Sequence, residues 1–120
     1  MNKSQPNRSI SQSAFTSYGI ILLTILTALI HLGLSFQFAG GPDLIFLLNG
    51  LGYLALVAAL YAPLPALAKY QSYIRWSLLA YTALTVILWF SFGASTAIAY
   101  IDKTVEIVLI ALLWAENQSS

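Results

Sequence analysis

Apolar residues in this chain come in four long runs, set apart by short polar or breaker-rich stretches. Residues 1–13, MNKSQPNRSISQS, carry too little apolar surface to fold alone, which predicts a disordered polar tail. Residues 15–38 are apolar, interrupted mainly by Ser, Thr, Tyr and His31. AGGPD at 39–43 predicts a tight turn. Pro42 and Asp43 suit the start of the next helix, with Asp43 near its positive dipole end. The second run covers 44–61. APLPALAKYQS at 62–72 predicts a loop, in which Pro63 and Pro65 stop the helix and Lys69 marks water. A third run covers 73–92, GAST at 93–96 predicts another tight turn, and a fourth run covers 97–114 ahead of the polar tail 116–120.

Composition says which solvent these runs are made for. The chain is 59% hydrophobic and 8% charged, whereas a soluble domain carries about 25% charged residues. A soluble fold of 120 residues has too much surface per volume to hide so much apolar area. Each run approaches the length that crosses a bilayer, 44–61 with slight thinning. The first is longer than the apolar core of a signal peptide, about 7–15 residues, and no A-x-A site follows it. Short turns make consecutive helices antiparallel neighbours. The expected fold is therefore all-α, an integral membrane four-helix bundle of up-down-up-down topology over residues 14–115. Lys3, Arg8, Lys69 and Arg75 predict that both termini and the 62–72 loop are cytoplasmic. Tyr73, Trp76 and Trp114 suit interfacial anchors on that side, and Trp89 on the other. Gly33, Gly50 and Gly52 allow close approach of helices.

The charges are few and unevenly placed. Of nine Asp, Glu, Lys and Arg residues, Asp102, Lys103 and Glu106 fall within five positions at the start of the fourth run. At a helical rise of about 1.5 Å per residue, His31 lies about 10 Å below the exit of the first run and Asn49 about 9 Å below the entry of the second. On the same scale Asp102 and Glu106 lie about 8 and 13 Å below the entry of the fourth. Three helices thus bring polar residues to one layer, in the half of the membrane away from the cytoplasm. Asp102, Lys103 and Glu106 share one helix face. Turning such a group to lipid costs about 2.5–3.5 kcal/mol per charge, so the face is expected to point inward. The candidate site is His31, Asn49, Asp102, Lys103 and Glu106, with Tyr53 and Trp89 as accessory residues. Plainer readings stand beside it. Asp102 and Lys103 could snorkel to headgroups. Asp102 could cap a helix beginning at Lys103, but that helix would span only about 18 Å. Asn49 could be a helix-to-helix hydrogen bond, and His31 a hydrogen-bonded packing residue.

Several chemistries are excluded or poorly supported. A net charge of +1 provides no field for nucleic acid. With no Cys and one His, a zinc site would rest on carboxylates, and no metal is predicted. One His could be a sole axial ligand of a haem or chlorophyll, on no supporting context. No phosphate-binding loop, serine-hydrolase or zinc-protease motif is present, so catalysis ranks last. No cofactor is named by these residues.

The segments ALIHLGL at 28–34, FLLNGLGYL at 46–54, VILWF at 86–90 and YIDKTVEIVLIALL at 100–113 resemble a family of small four-span integral membrane proteins of unknown function, found in archaea and bacteria. The resemblance implies a four-span fold and His31, Trp89, Asp102 and Lys103 as family positions. At Glu106 other members often carry Gln or another polar residue, so an essential carboxylate there is not implied. The leading functional expectation is a binding or assembly component of a larger membrane complex, or a holder of a lipid or hydrophobic cofactor. Its partners would be the bilayer and a membrane protein or a second copy of itself. The alternative is a small proton- or cation-coupled transporter using the His, Asp and Glu cluster.

Overall fold

The computed structural model of the chain describes residues 10–36, 43–92 and 96–119. Those residues form five helices: α1 (Ile10–Ser35), α2 (Leu44–Tyr61), a single turn α3 (Pro65–Ala68), α4 (Gln71–Phe92) and α5 (Ala97–Ser119). No strand occurs among the described residues. Among the described residues three helices are long and apolar enough to cross a membrane, over Ala14–Ser35, Leu44–Tyr61 and Gln71–Ser91, which supports a multi-pass membrane protein.

Local chemistry explains the element ends. Asp43 caps α2: its side chain accepts from the backbone N–H of Ile45 at 2.9 Å and of Phe46 at 3.1 Å. Its own N–H donates to the Ser35 carbonyl at 2.7 Å, which ties the start of α2 to the end of α1. Thr96 serves α5 in the same way, its hydroxyl accepting from the Ala99 N–H at 3.2 Å.

Three boundaries differ from the sequence reading. Backbone at 10–13 is already helical, so the polar tail is shorter than expected, and residues 1–9 lie outside the described residues. The expected loop at 62–72 contains α3, because Pro65 lacks the N–H that a first helical position does not use. α5 runs on through Ala115–Ser119, where a polar tail is expected. Arg75 reaches it there, its Nε donating to Asn117 Oδ1 at 3.0 Å. Helix through Asp102 also removes the reading in which that residue caps α5. Most of both expected turns, 39–42 and 93–95, lies outside the described residues.

α1 packs against α2 and α5, and α4 packs against α5 and, more thinly, α2. Gly50 lets α1 and α2 close up, since a Cβ there would sit 2.8 Å from Leu32 Cγ and 2.9 Å from the Ala28 carbonyl. The interior is layered. Ile20, Leu60, Leu78, Leu109 and Leu113 are buried in one half, while His31, Ser35, Asp102, Lys103 and Glu106 are buried further along α1 and nearer the start of α5. Meanwhile Leu22, Leu29, Ile45, Leu48, Ile87 and Ile107 face outward. Charge inside and aliphatic side chains outside is the distribution that a lipid solvent selects.

Candidate functional site

Buried hydroxyls come first, because an unsatisfied one destabilises a bundle in any solvent. Thr24, Thr82 and Thr85 donate to carbonyls one turn back, at 2.6, 2.8 and 3.0 Å. Thr27 does not. Its hydroxyl leaves α1 and meets α5, 2.5 Å from Asp102 Oδ1 and 3.2 Å from Glu106 Oε2. A hydroxyl has one proton, so the shorter contact is the donated bond.

Around that contact the ionisable groups of α1 and α5 gather. His31, one turn after Thr27, places Nδ1 2.8 Å from the Thr27 carbonyl and 3.4 Å from its hydroxyl. A carbonyl can only accept, so Nδ1 carries a hydrogen. The other ring nitrogen, Nε2, faces Asp102 Oδ2 at 3.7 Å. Lys103 lies between the carboxylates, with Nζ 3.2 Å from Asp102 Oδ2 and 2.5 Å from Glu106 Oε1. From α2, the Tyr53 hydroxyl donates to Glu106 Oε2 at 2.6 Å. All of this is out of contact with the surroundings: relative exposure is 3% for His31, 2% for Asp102, 7% for Lys103 and 0% for both Glu106 and Tyr53.

Ring packing closes the site on the α2 and α4 side. Tyr53 meets Tyr81 edge-on at 4.8 Å, and His31 lies 5.8 Å from Tyr53 and 6.0 Å from Phe46. Gly52 leaves the space that the Tyr81 phenol fills. Tyr81 then donates to the Asn49 carbonyl at 2.7 Å.

His31, Asp102, Lys103, Glu106 and Tyr53 therefore come together. Asn49 does not join their hydrogen bonds. Its Nδ2 donates to Thr85 Oγ1 at 3.4 Å, and its Oδ1 is buried without a hydrogen bond. Tyr53, one turn further along α2, makes the contact expected of Asn49. Trp89 packs against Tyr100 at 5.4 Å, edge-on, at the start of α5. Thr27 is absent from the sequence reading, although it lies one helical turn before His31 on the same face. Asking which hydroxyl shares the histidine's face would have found it.

In formal charge, two carboxylates and one ammonium leave the centre one negative charge out of balance when the imidazole is neutral. Such a charge is expensive in a dry interior, so the centre favours one further positive charge, which a proton on Glu106 or on His31 Nε2 supplies as well as a bound cation does. One ligand atom from each of His31, Asp102 and Glu106 lies within 4.8 Å of the other two. Compared with family models, curated proteins and solved structures, the chain matches none.

Proposed function

We propose that this chain is a small multi-pass membrane protein that binds a cation at its buried polar centre and moves it, or couples it to movement, across the bilayer. The carrying observation is the joint burial of two carboxylates, one ammonium and one imidazole, a set that is neutral only with one more proton or cation. A cluster serving only to hold helices together needs no surplus charge, and uncharged hydrogen bonds would do it. Lys103 acts as a tethered cation that keeps the two carboxylates apart from lipid until another cation takes its place.

Four spans, rather than three, suit this reading. α5 has 23 residues, about 34 Å of helix, enough to cross. Only its clustered charges set it apart from the other long helices, and Asp102, Lys103 and Glu106 are turned inward. Ile98, Ile101, Ile107 and Val108 are turned outward instead. We place both termini in the cytoplasm on the strength of Lys3, Arg8, Lys69 and Arg75. The up-down-up-down bundle follows from that placement. The likeness to the four-span family belongs with this reading. With only four helices, a transport pathway would be completed by a second copy or a partner membrane protein.

The experiment is flux into liposomes. Wild type should carry protons or a metal or alkali cation above the rate of empty vesicles. Glu106→Gln and His31→Leu should lose that flux while inserting and folding normally. Wild-type flux indistinguishable from empty vesicles would remove the transport reading.

A second reading, a holder of a lipid or hydrophobic cofactor, is favoured by one place. Between α2 and α4 an open groove of about 430 Å³ is lined by Ile45, Leu48, Asn49, Tyr81, Leu84 and Thr85, among others. Asn49 lines it, and its side-chain amide is a polar group that a hydroxyl or amide on such a molecule would meet. Native mass spectrometry should then detect a bound molecule in wild type that Asn49→Leu has lost. Equal retention by both proteins would remove this reading.

A further inference from the structure

The unusual atom of the site is His31 Nε2. The Thr27 carbonyl fixes the hydrogen of the neutral ring on Nδ1, which leaves a lone pair on Nε2. That lone pair looks at a carboxylate oxygen 3.7 Å away, which is also an acceptor. With the ring neutral, two acceptors face each other on side chains only 4% and 3% exposed, and Lys103 Nζ is the donor beside that oxygen at 3.2 Å; a proton or a metal ion on Nε2 relieves the contact. A backbone carbonyl on one imidazole nitrogen, with the other nitrogen aimed at carboxylates, is the arrangement that orients histidines toward metals.

We infer that His31 Nε2, Asp102 and Glu106 form a site for one divalent transition-metal ion, from which Lys103 withdraws. The inference rests on the cation-binding reading above and names the class of cation. Charge selects the valence. Once Lys103 leaves, two carboxylates and a neutral imidazole balance a divalent ion, whereas a monovalent ion leaves one negative charge. Ligand type selects the metal. An imidazole nitrogen with carboxylate oxygens suits zinc, manganese, iron or cobalt better than sodium or calcium. Space permits the ion: one ligand atom from each of the three residues lies within 4.8 Å of the other two, and Nε2 itself is 3.7 Å from Asp102 Oδ2. A tetrahedral zinc site needs separations of about 3.3 Å, which small side-chain rotations supply. Thr27 and Tyr53 hold the carboxylates through hydrogen bonds to Asp102 Oδ1 and Glu106 Oε2. They are positioning residues for the site.

Lys103 makes the inference sharp, because its ammonium already occupies the place between the acids. It lies six residues into α5, about 9 Å from the helix start, within reach of the interface for a long side chain. It must therefore compete with the metal. Removing it should tighten metal binding, while removing a ligand should weaken it.

The test uses the full chain in mild detergent with any polyhistidine tag removed. Cobalt(II) is titrated and followed by its visible absorption, and zinc is titrated by calorimetry. Wild type should show one saturable site per chain. His31→Gln and Glu106→Gln should each weaken it at least tenfold, and Lys103→Gln should strengthen it at least tenfold. Far-UV circular dichroism confirms that each variant is folded, and Tyr53→Phe serves as a milder substitution with an intermediate loss. No saturable site in either wild type or Lys103→Gln would overturn the inference. So would binding that His31→Gln leaves unchanged, since that is adventitious. If divalent binding is absent but Glu106-dependent flux of protons or sodium persists, the metal assignment falls and the cation reading stands. If the metal binds as expected but nothing crosses the liposome, the site stands and transport falls.

Discussion

Thr24 and Thr27 are three residues apart on α1, and both are fully buried, yet their hydroxyls do different work. Thr24 bonds only its own helix, and Thr27 joins α1 to the acids of α5. Thr24→Val should therefore cost little, about 0.5 kcal/mol or less, because its hydroxyl bonds only a carbonyl one turn back on its own helix. Thr27→Val should cost about 1–3 kcal/mol, because it strips Asp102 Oδ1 of its donor. Thermal unfolding of both proteins in one detergent checks the contrast. Glu106 permits a similar comparison. Glu106→Leu leaves Lys103 paired with Asp102 alone and the Tyr53 hydroxyl without its acceptor, and should destabilise by about 1–3 kcal/mol. Glu106→Gln keeps an acceptor for Tyr53 and should lose less than about 1 kcal/mol. Equal losses in the two variants would mean that Glu106 serves only as a space-filling residue.

Helices pack where their small residues allow, and two glycines separate packing from tolerance. A Cβ on Gly50 would press on Leu32 and the Ala28 carbonyl, whereas one on Gly33 would meet nothing within 4 Å. Gly50→Ala should destabilise by about 1–3 kcal/mol through overpacking of the α1–α2 seam. Gly33→Ala should be neutral or stabilise by roughly 0.5–1 kcal/mol, since alanine restricts the unfolded chain. Chemical denaturation of both variants measures the difference. The same elements mark how far sequence could be read. The limits of α2 were legible as 44–61, because Asp43 caps it and Pro63 lies just past its end. Those of α1 and α5 were not. Ser and Gln at 10–13, and Glu, Asn and Gln at 116–118, mark where lipid gives way to water, and a helix can continue through that border. Pro65 was misread because proline ends one helix and begins the next equally well.

Seen as a molecule, the chain buries a polar layer next to an apolar one and turns aliphatic side chains outward. Depth and the cost of charge in lipid were enough to bring His31, Asp102, Lys103 and Glu106 to one layer from sequence. They could not choose between Asn49 and Tyr53, since which face of α2 turns inward depends on its packing against α1 and α4. Nor could they flag Thr27, because threonine is ordinary in membrane helices. The absence of cysteine makes topology simple to test with single cysteines and a membrane-impermeant maleimide. Ser4→Cys, Ser72→Cys and Gln118→Cys should be labelled only from the cytoplasmic side, and Ser95→Cys only from the other. Labelling of Ser72→Cys from outside intact cells would overturn the orientation. The central claim is that Lys103 holds a place which an external cation can take. Its most direct measurement is the thermal unfolding of Lys103→Gln in detergent, with sodium, magnesium, manganese or zinc chloride added in turn. Without a divalent transition metal the variant should unfold well below wild type, because two buried carboxylates have lost their counter-ion. Micromolar zinc or manganese should restore it, as a ligand bound only to the folded state must, and should not restore Lys103→Gln combined with Glu106→Gln. A midpoint that no cation moves, or that moves equally in the double variant, would contradict the account.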